Sequence, residues 1–382
     1  MATPFTINVP QERLEMIRSK VANYDWDALA DAGGWKSGVG LADLKRLTSY
    51  WLERYDWRAQ ETRLNRWPHF TTEISGQKLH FIHVRSDVAE GGRRLPILLV
   101  HGWPGSFLEF ESLIEPLLAD GHDVVIPSLP GFAFSGRPAT PIGPRRTAEL
   151  LRGMMAELYG DQQFFAQGGD WGGITVSWLA YQFPEAVAGL HLNAVAVNDA
   201  GVKPESDVEK ARQKKMGERM QAEMGYYQQQ STRPQTLNAL LADSPVGVAA
   251  WIFEKFGEWS DVPRDAEGTP DVWQAFDEDL LLTNIMLYLV TSSIVTSTWF
   301  YRGNLFEGAF VFPPGTGVTV PTGVAAFPDP VFDRPLRSYT GRSYNIVHWN
   351  DMPSGGHFAA LERPELLLAD MRSFFRSVDR MD

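Results

Sequence analysis

The chain reads as an α/β protein: a mainly parallel, doubly wound sheet with a helical insertion and a separate N-terminal segment. Three observations predict this class. Short apolar runs such as Leu95-Pro96-Ile97-Leu98-Leu99-Val100 suit strands buried on both faces. Helix-period patterns accompany them, as in Leu367, Met371, Phe374, Phe375 and Val378. From Leu95 onward the two signals alternate, which implies crossover connections and parallel pairing. At 382 residues and 44% hydrophobic content, the chain can bury a large core with more than one subregion.

The regions follow in order. Residues 1–90 open with an amphipathic stretch at Leu14, Ile17 and Val21, then a segment holding Trp26, Trp35, Trp51, Trp57 and Trp67, read as packing residues. Residues 91–199 form the first part of the sheet-bearing core. Charge density then rises from Glu205 to Arg219, marking a helical insertion over 200–298 that forms a cap, with the charged run as a solvated helix face. Residues 299–382 return to the core. Within them, Phe312 to Gly323 is rich in Gly and Pro and reads as a connecting loop. No internal repeat or low-complexity tract is present.

The core carries three chemical motifs. Gln167-Gly168-Gly169-Asp170-Trp171-Gly172-Gly173 lies between the strand-like Phe164-Phe165-Ala166 and a helical run that Pro184 stops. It has the shape of a nucleophile elbow, in which glycines two positions before and after the central residue let the chain turn sharply. A carboxylate, Asp170, stands where a serine usually would, which moves the chemistry from acyl transfer to attack on an alkyl carbon. The apolar strand at Leu95–Val100 empties into His101-Gly102-Trp103-Pro104-Gly105-Ser106. From there the backbone N–H of Trp103 can converge with that of Trp171 as an oxyanion hole. His101 reads as structural, and the Ser106/Glu109 spacing predicts a capping box opening a helix. The third motif, Gly355-Gly356-His357-Phe358, follows the strand-like Tyr344–Trp349 and precedes the last amphipathic helix. The chain order nucleophile, acid, histidine then makes His357 the candidate base.

Composition excludes several classes. A formal charge of -12 argues against nucleic acids and polybasic membrane binding. With no cysteine, thiolate nucleophiles, Cys-ligated zinc and disulfides are excluded, and the histidines show no HExxH pairing. No metal or organic cofactor is expected. Gln11, Glu12 and Arg13 interrupt any apolar leader, and no run approaches the roughly eighteen apolar residues of a membrane span. The expectation is a cytoplasmic protein without a membrane partner.

Taken together, His101–Ser106, Gly168–Gly173 and Gly355–Glu362, with Asp243-Ser244-Pro245-Val246-Gly247, Ala249-Ala250-Trp251-Ile252 and Val320-Pro321-Thr322-Gly323, resemble the epoxide hydrolases of the α/β-hydrolase superfamily. The branch is the one with an N-terminal extension, which includes microsomal and juvenile-hormone epoxide hydrolases. The motifs span nearly the whole chain and are specific as a set. The resemblance implies an α/β-hydrolase fold with the N-terminal arm wrapped around core and cap, and conversion of a small apolar epoxide and water to a vicinal diol through a covalent alkyl-aspartate ester, a detoxification chemistry. A homodimer is compatible with it. Residue by residue it implies Asp170 as nucleophile, His357 as base, and Tyr226 and Tyr301 as lid tyrosines, with Tyr227 adjacent to Tyr226 and at most one of that pair reaching the site. The relay acid departs from the pattern: the run is Ala326-Phe327-Pro328-Asp329-Pro330-Val331-Phe332-Asp333, with Pro330 where a carboxylate is expected. Asp329 is preferred over Asp333. The alternatives are a haloalkane dehalogenase, disfavoured by Trp103 after the His-Gly pair, and a ligand-binding protein that keeps the fold without turnover, favoured only by the displaced acid.

Overall fold

The computed structural model describes residues 1–88 and 94–379, so the boundary drawn at residue 90 lies outside the described residues. The chain begins with β1 (Thr3–Phe5), α1 (Gln11–Ala22), α2 (Leu41–Glu53), α3 (Trp57–Leu64), β2 (His69–Ile74) and β3 (Gln77–Val84). The first core half holds β4 (Ile97–Val100), α4 (Glu111–Ala119), β5 (Val124–Pro127), α5 (Pro144–Tyr159), β6 (Phe164–Gly168), α6 (Asp170–Gln182), β7 (Val187–Leu192) and β8 (Asn198–Asp199). The cap comprises α7 (Asp207–Glu223), α8 (Gly225–Thr232), α9 (Pro234–Leu241), α10 (Pro245–Trp259), α11 (Glu278–Val290) and α12 (Ile294–Glu307). The chain closes with β9 (Val311–Phe312), β10 (Val318–Ala326), α13 (Arg337–Thr340), β11 (Tyr344–Asp351), α14 (Ala359–Glu362) and α15 (Pro364–Val378).

Among the described residues, nine strands form one sheet in the order β1-β2-β3-β5-β4-β6-β7-β10-β11. The strands from β5 to β11 pair in parallel, while β1, β2 and β3 add an antiparallel edge. Every residue of β4, β5, β6 and β7 is buried, as unbroken apolar runs require of central parallel strands. Helix α15 turns Leu367, Met371, Phe374, Phe375 and Val378 inward, and α5 does the same with Leu150, Leu151, Met154 and Met155. Between sheet and cap, α6 is buried on nearly all sides, which accounts for its apolar residues lacking a polar face.

The cap is tied to the core at its base by the parallel pair β8–β9, where the chain leaves and returns. The boundary drawn at 298 falls inside α12, a single helix packed against α8, α9 and α5 at once. The N-terminal arm contacts the cap from outside: α1 and α2 pack on α10 and α11. Arg46 pairs with Glu278 at 2.7 Å, and the Tyr50 hydroxyl donates to Asp279 at 3.1 Å. Trp35, Trp51, Trp57 and Trp67 are buried. Trp35 lies so close to α10 that a Cβ on Gly257 would come within 2.4 Å of its ring.

Three expectations change. Strand β10 begins inside the presumed loop at Phe312–Gly323, because Val318 and Val320 are buried and β10 fills the sheet between β7 and β11. Ser106 caps Leu108 N at 3.4 Å and opens a 3-10 turn over Phe107–Phe110 before α4, so the capping box with Glu109 N is not formed. Helix α7 is more than a solvated face. Its Ser206/Glu209 capping box is complete, Glu209 is buried, and Arg212 donates to the carbonyls of Phe332, Asp333 and Arg334.

The elbow makes the sharpest demand on packing. A Cβ on Gly172 would lie 1.8 Å from the Val100 carbonyl oxygen, which belongs to the backbone of β4 and cannot swing aside. Gly172→Ala is therefore expected to lower stability at or above the upper end of the ~1–3 kcal/mol typical of overpacking. A clear fall in the urea midpoint checks this; an unchanged midpoint would mean that α6 and β4 can separate freely.

Candidate active site

The parallel strands present the site at their C-terminal ends, the usual binding edge of an open α/β sheet. After β6 the chain turns through Asp170 at φ 47°, a left-handed conformation that costs a non-glycine residue about 1–3 kcal/mol. Surrounding glycines make the turn sterically feasible. A Cβ on Gly168 would meet Gly172 at 2.6 Å, and one on Gly102 would meet Asp170 Oδ1 at 2.2 Å. The Asp170 carboxylate is thus seated directly on the loop that follows β4, where Trp103 N donates to its Oδ1 at 2.8 Å. Trp171 lies in the first turn of α6, where backbone N–H groups lack intrahelical partners.

The cap holds that loop in place. From α11, Asn284 Nδ2 donates to the Pro104 carbonyl at 2.7 Å, and Ser106 Oγ donates to Asn284 Oδ1 at 2.9 Å. His101 is buried and structural, with Nδ1 on its Gly102 neighbour's carbonyl and Nε2 accepting from Leu129 N. Burial pushes it down to about 4, so it stays neutral.

His357 stands between two carboxylates. Its Nδ1 donates to Asp329 Oδ2 at 2.8 Å, and its Nε2 lies 3.4 Å from Asp170 Oδ2. Burial disfavours the imidazolium, but its interactions with Asp170 and Asp329 outweigh that and hold it up to about 10. Asp329 Oδ1 accepts from Val331 N and Phe332 N at 2.8 and 2.9 Å, so the turn that Asp329 initiates also fixes its carboxylate. Asp333 points elsewhere, to Lys215 and Arg219 on α7. Of the two carboxylates weighed from sequence, Asp329 is the one against His357.

The histidine loop has a support that sequence reading passed over. Glu362 accepts from Gly356 N, Phe358 N and Asp261 N, bracketing His357 and joining its loop to the end of the cap helix α10. Burial raises its carboxyl to about 7 against the pull of these three N–H groups. His357 N also donates to the Trp259 carbonyl at 3.0 Å, and Trp259 and Phe332 flank its ring. The signal was the acid five residues after His357, quoted within the motif but given no task.

Above Asp170, a cavity of about 370 Å³ opens between core and cap. Tyr226 (α8) lines it, whereas the fully buried Tyr301 (α12) is not among its lining residues and sits beside Tyr226 with ring centroids 5.8 Å apart. Tyr226 stacks on Trp103 at 5.3 Å, and Tyr301 meets Trp171 edge-on at 4.7 Å. Burial, aided by the charge of Asp170, raises both phenols well above their ordinary value and keeps them protonated. Tyr301 Oη makes no well-aligned hydrogen bond among the described residues, although the Tyr226 hydroxyl and the Trp171 side chain lie beside it. Tyr226 and Tyr227 both line the cavity, contrary to the expectation that at most one would. Successive positions on the short helix α8 flank the opening, and the Tyr227 hydroxyl accepts from Asn304 Nδ2 at 3.0 Å.

A carboxylate on a strand-to-helix elbow, a histidine after the last strand and a helical cap define an α/β hydrolase. The profile of the α/β hydrolase fold matches residues 96–267, and that of the epoxide hydrolase N terminus matches residues 2–110. Epoxide hydrolase 1 of Sus scrofa is 36% identical over 97% of this chain and 88% of its own length. Juvenile hormone epoxide hydrolase 1 of Ctenocephalides felis is 33% identical over 96% and 84%. The Aspergillus niger epoxide hydrolase structure aligns with a TM-score of 0.84 at 31% identity, covering 99% of this chain and 97% of that one. The Bombyx mori juvenile hormone epoxide hydrolase structure aligns at 0.88 and 28%, covering 100% and 95%. The chain belongs to the epoxide hydrolase family, and its reaction is the hydrolysis of an epoxide to a vicinal diol.

The charge on His357 yields a direct test. Histidine-selective NMR is expected to show the His357 imidazolium surviving well into alkaline pH, with a midpoint near about 10. Asp170→Asn removes one of the two carboxylates that hold the proton and should lower that midpoint. A midpoint indifferent to Asp170→Asn would contradict the coupling.

Proposed function

We propose that Asp170 is the nucleophile, His357 the base, Asp329 its orienting acid, and Tyr226 and Tyr301 the hydrogen-bond donors to the epoxide oxygen. One observation carries this reading: Asp170 is held by Trp103 N–H on one side and faces His357 on the other, at the floor of an apolar cavity lined by the protonated Tyr226, whose ring meets that of the buried Tyr301.

In the first half, Asp170 attacks an epoxide carbon, the C–O bond breaks, and an alkyl ester forms while the ring oxygen takes up a proton. The phenols stabilise that oxygen. The ester carries no charge, so His357 loses one of the two partners that raised its pKa and releases its proton. That proton equals the one the ring oxygen needs, and the neutral imidazole left behind can act as a base. In the second half, His357 takes a proton from water, the hydroxide adds to the ester carbonyl, and Trp103 N–H and Trp171 N–H hold the oxyanion. Collapse releases the diol, with Asp170 ionised and His357 protonated as at the start.

The substrate class is an apolar epoxide. Met216, Met220 and Met224 recur every fourth residue along the cap and line the cavity with Ile174, Phe310 and Phe332. Thioether side chains adapt to varied apolar shapes. The cavity volume suits a small molecule.

His357→Gln mixed with a reactive epoxide is expected to accumulate one substrate mass on Asp170, read by intact-protein and peptide mass spectrometry. Absence of that adduct, with a substrate the wild type turns over, would count against the covalent path. The tyrosines give a graded test. Tyr226→Phe and Tyr301→Phe should each lower the alkylation rate by about 10-fold or more, and the double variant by about 10²–10⁴; a folded double variant that alkylates as fast as wild type would remove the tyrosines from the ring-opening step.

A further inference from the structure

Asp170 is bordered by a second cavity on the side away from the cap. It measures about 10 Å³, close to the space one water molecule occupies, and its polar lining includes Asp170, His357 and Glu109. Glu109 is the group that the proposed cycle has not used. It follows the loop after β4, in the turn Phe107-Leu108-Glu109-Phe110, whose three apolar side chains are buried while Glu109 itself is half-buried, so its carboxyl sits among large apolar side chains. It forms no ion pair among the described residues.

The loop makes room for this carboxyl. A Cβ on Gly105 would come within 1.5 Å of Glu109 Oε1, so the glycine at 105 lets the side chain reach the cavity instead of turning away. His357 points a free valence into the same region: its Nε2 is buried and, among the described residues, has no well-aligned hydrogen-bond partner, Asp170 Oδ2 lying 3.4 Å away. A water here would meet an imidazole nitrogen, the Asp170 carboxyl group and the Glu109 carboxyl group, within the two to four polar partners that a buried water takes. Burial and the Asp170 charge raise the Glu109 carboxyl to about 8, while His357 and the Ser106 N–H pull it down.

We propose that Glu109 binds the hydrolytic water, accepting a hydrogen bond from one O–H so that the other faces His357 Nε2 and the oxygen faces the ester carbonyl carbon of alkylated Asp170. The proton lost from water goes to His357, and Glu109 keeps its protonation state throughout the step. This assignment rests on the covalent cycle proposed above and gives the two halves of the reaction separate sides of Asp170: substrate from the cap side, water from the core side.

Rapid-quench kinetics on Glu109→Gln, with intact mass as readout, test the proposal. The amide keeps the volume but cannot ionise, so the comparison is made at pH above about 8, where the Glu109 carboxylate is the stronger acceptor. Alkylation is expected within about threefold of wild type and ester hydrolysis slowed by 10-fold or more, so that the adduct accumulates at steady state. Glu109→Asp, one methylene shorter, is the companion should the amide variant misfold; it is expected to slow hydrolysis selectively and to a smaller degree. Equal slowing of both steps, or no slowing of hydrolysis, in the folded variant overturns the role of Glu109. His357→Gln, run alongside, separates the failures. If it accumulates adduct and the Glu109 variants do not, the covalent cycle stands and only the assignment of Glu109 falls.

Discussion

Two carboxylates, Asp170 and Asp329, share one buried imidazole, and much of the surrounding structure serves that arrangement. Withdrawn from water, a lone ionised carboxylate is strongly disfavoured, and two near each other are worse. The proton on His357 offsets both, which is why its affinity for that proton is high. Such a row is stable only while all three groups are held in place, because losing one partner strands a buried charge. The same dependence makes the row reactive: converting Asp170 to an ester removes one charge and changes the acidity of His357 without any movement of the fold.

Each member of the row is held by elements distant in the chain. Asp170 is set by the close approach of β4 and α6, which glycine at 102, 168 and 172 allows. Asp329 is set by two backbone N–H groups of its own turn, and α7 reaches down from the cap to grip the carbonyls just beyond it through Arg212. His357 is set by Trp259 and Glu362, where the end of α10 meets the histidine loop. The cap is therefore both the roof of the substrate cavity and a clamp on two of the three loops beneath. The N-terminal arm clamps the cap in turn, with Trp35 against α10 and Arg46 and Tyr50 on the start of α11.

Legibility in the sequence followed the physics of each feature. The central strands were legible because burial on both faces forces unbroken apolar runs, and α15 because its buried stripe has a clear 3.6 period. The elbow was legible because a backbone constraint at Asp170 demands glycine at fixed offsets. Strand β10 was hidden because Pro313, Pro314, Gly315 and Gly317 precede it and Pro321 lies within it, masking the alternation. The pocket-facing side of α7 was hidden because charged residues on a helix look alike whether they face water or grip a neighbouring loop; only the methionines at 216, 220 and 224 hinted at a second face. Glu109 and Glu362 were read as a cap and as part of a motif, since a sequence does not say which carboxyl is turned inward. Asp329 could be preferred over Asp333 by nearness to the strand end, but its hydrogen bond to His357 depends on the fold.

The central claim is that water attacks the Asp170 ester at its carbonyl and never touches the epoxide carbon. A single turnover in H₂¹⁸O, with enzyme in excess over epoxide, tests it most directly by locating the label. The account predicts ¹⁸O in the Asp170 carboxylate and an unlabelled diol, because the new diol oxygen comes from the enzyme. Label in the diol after that first turnover, with none on Asp170, would contradict it.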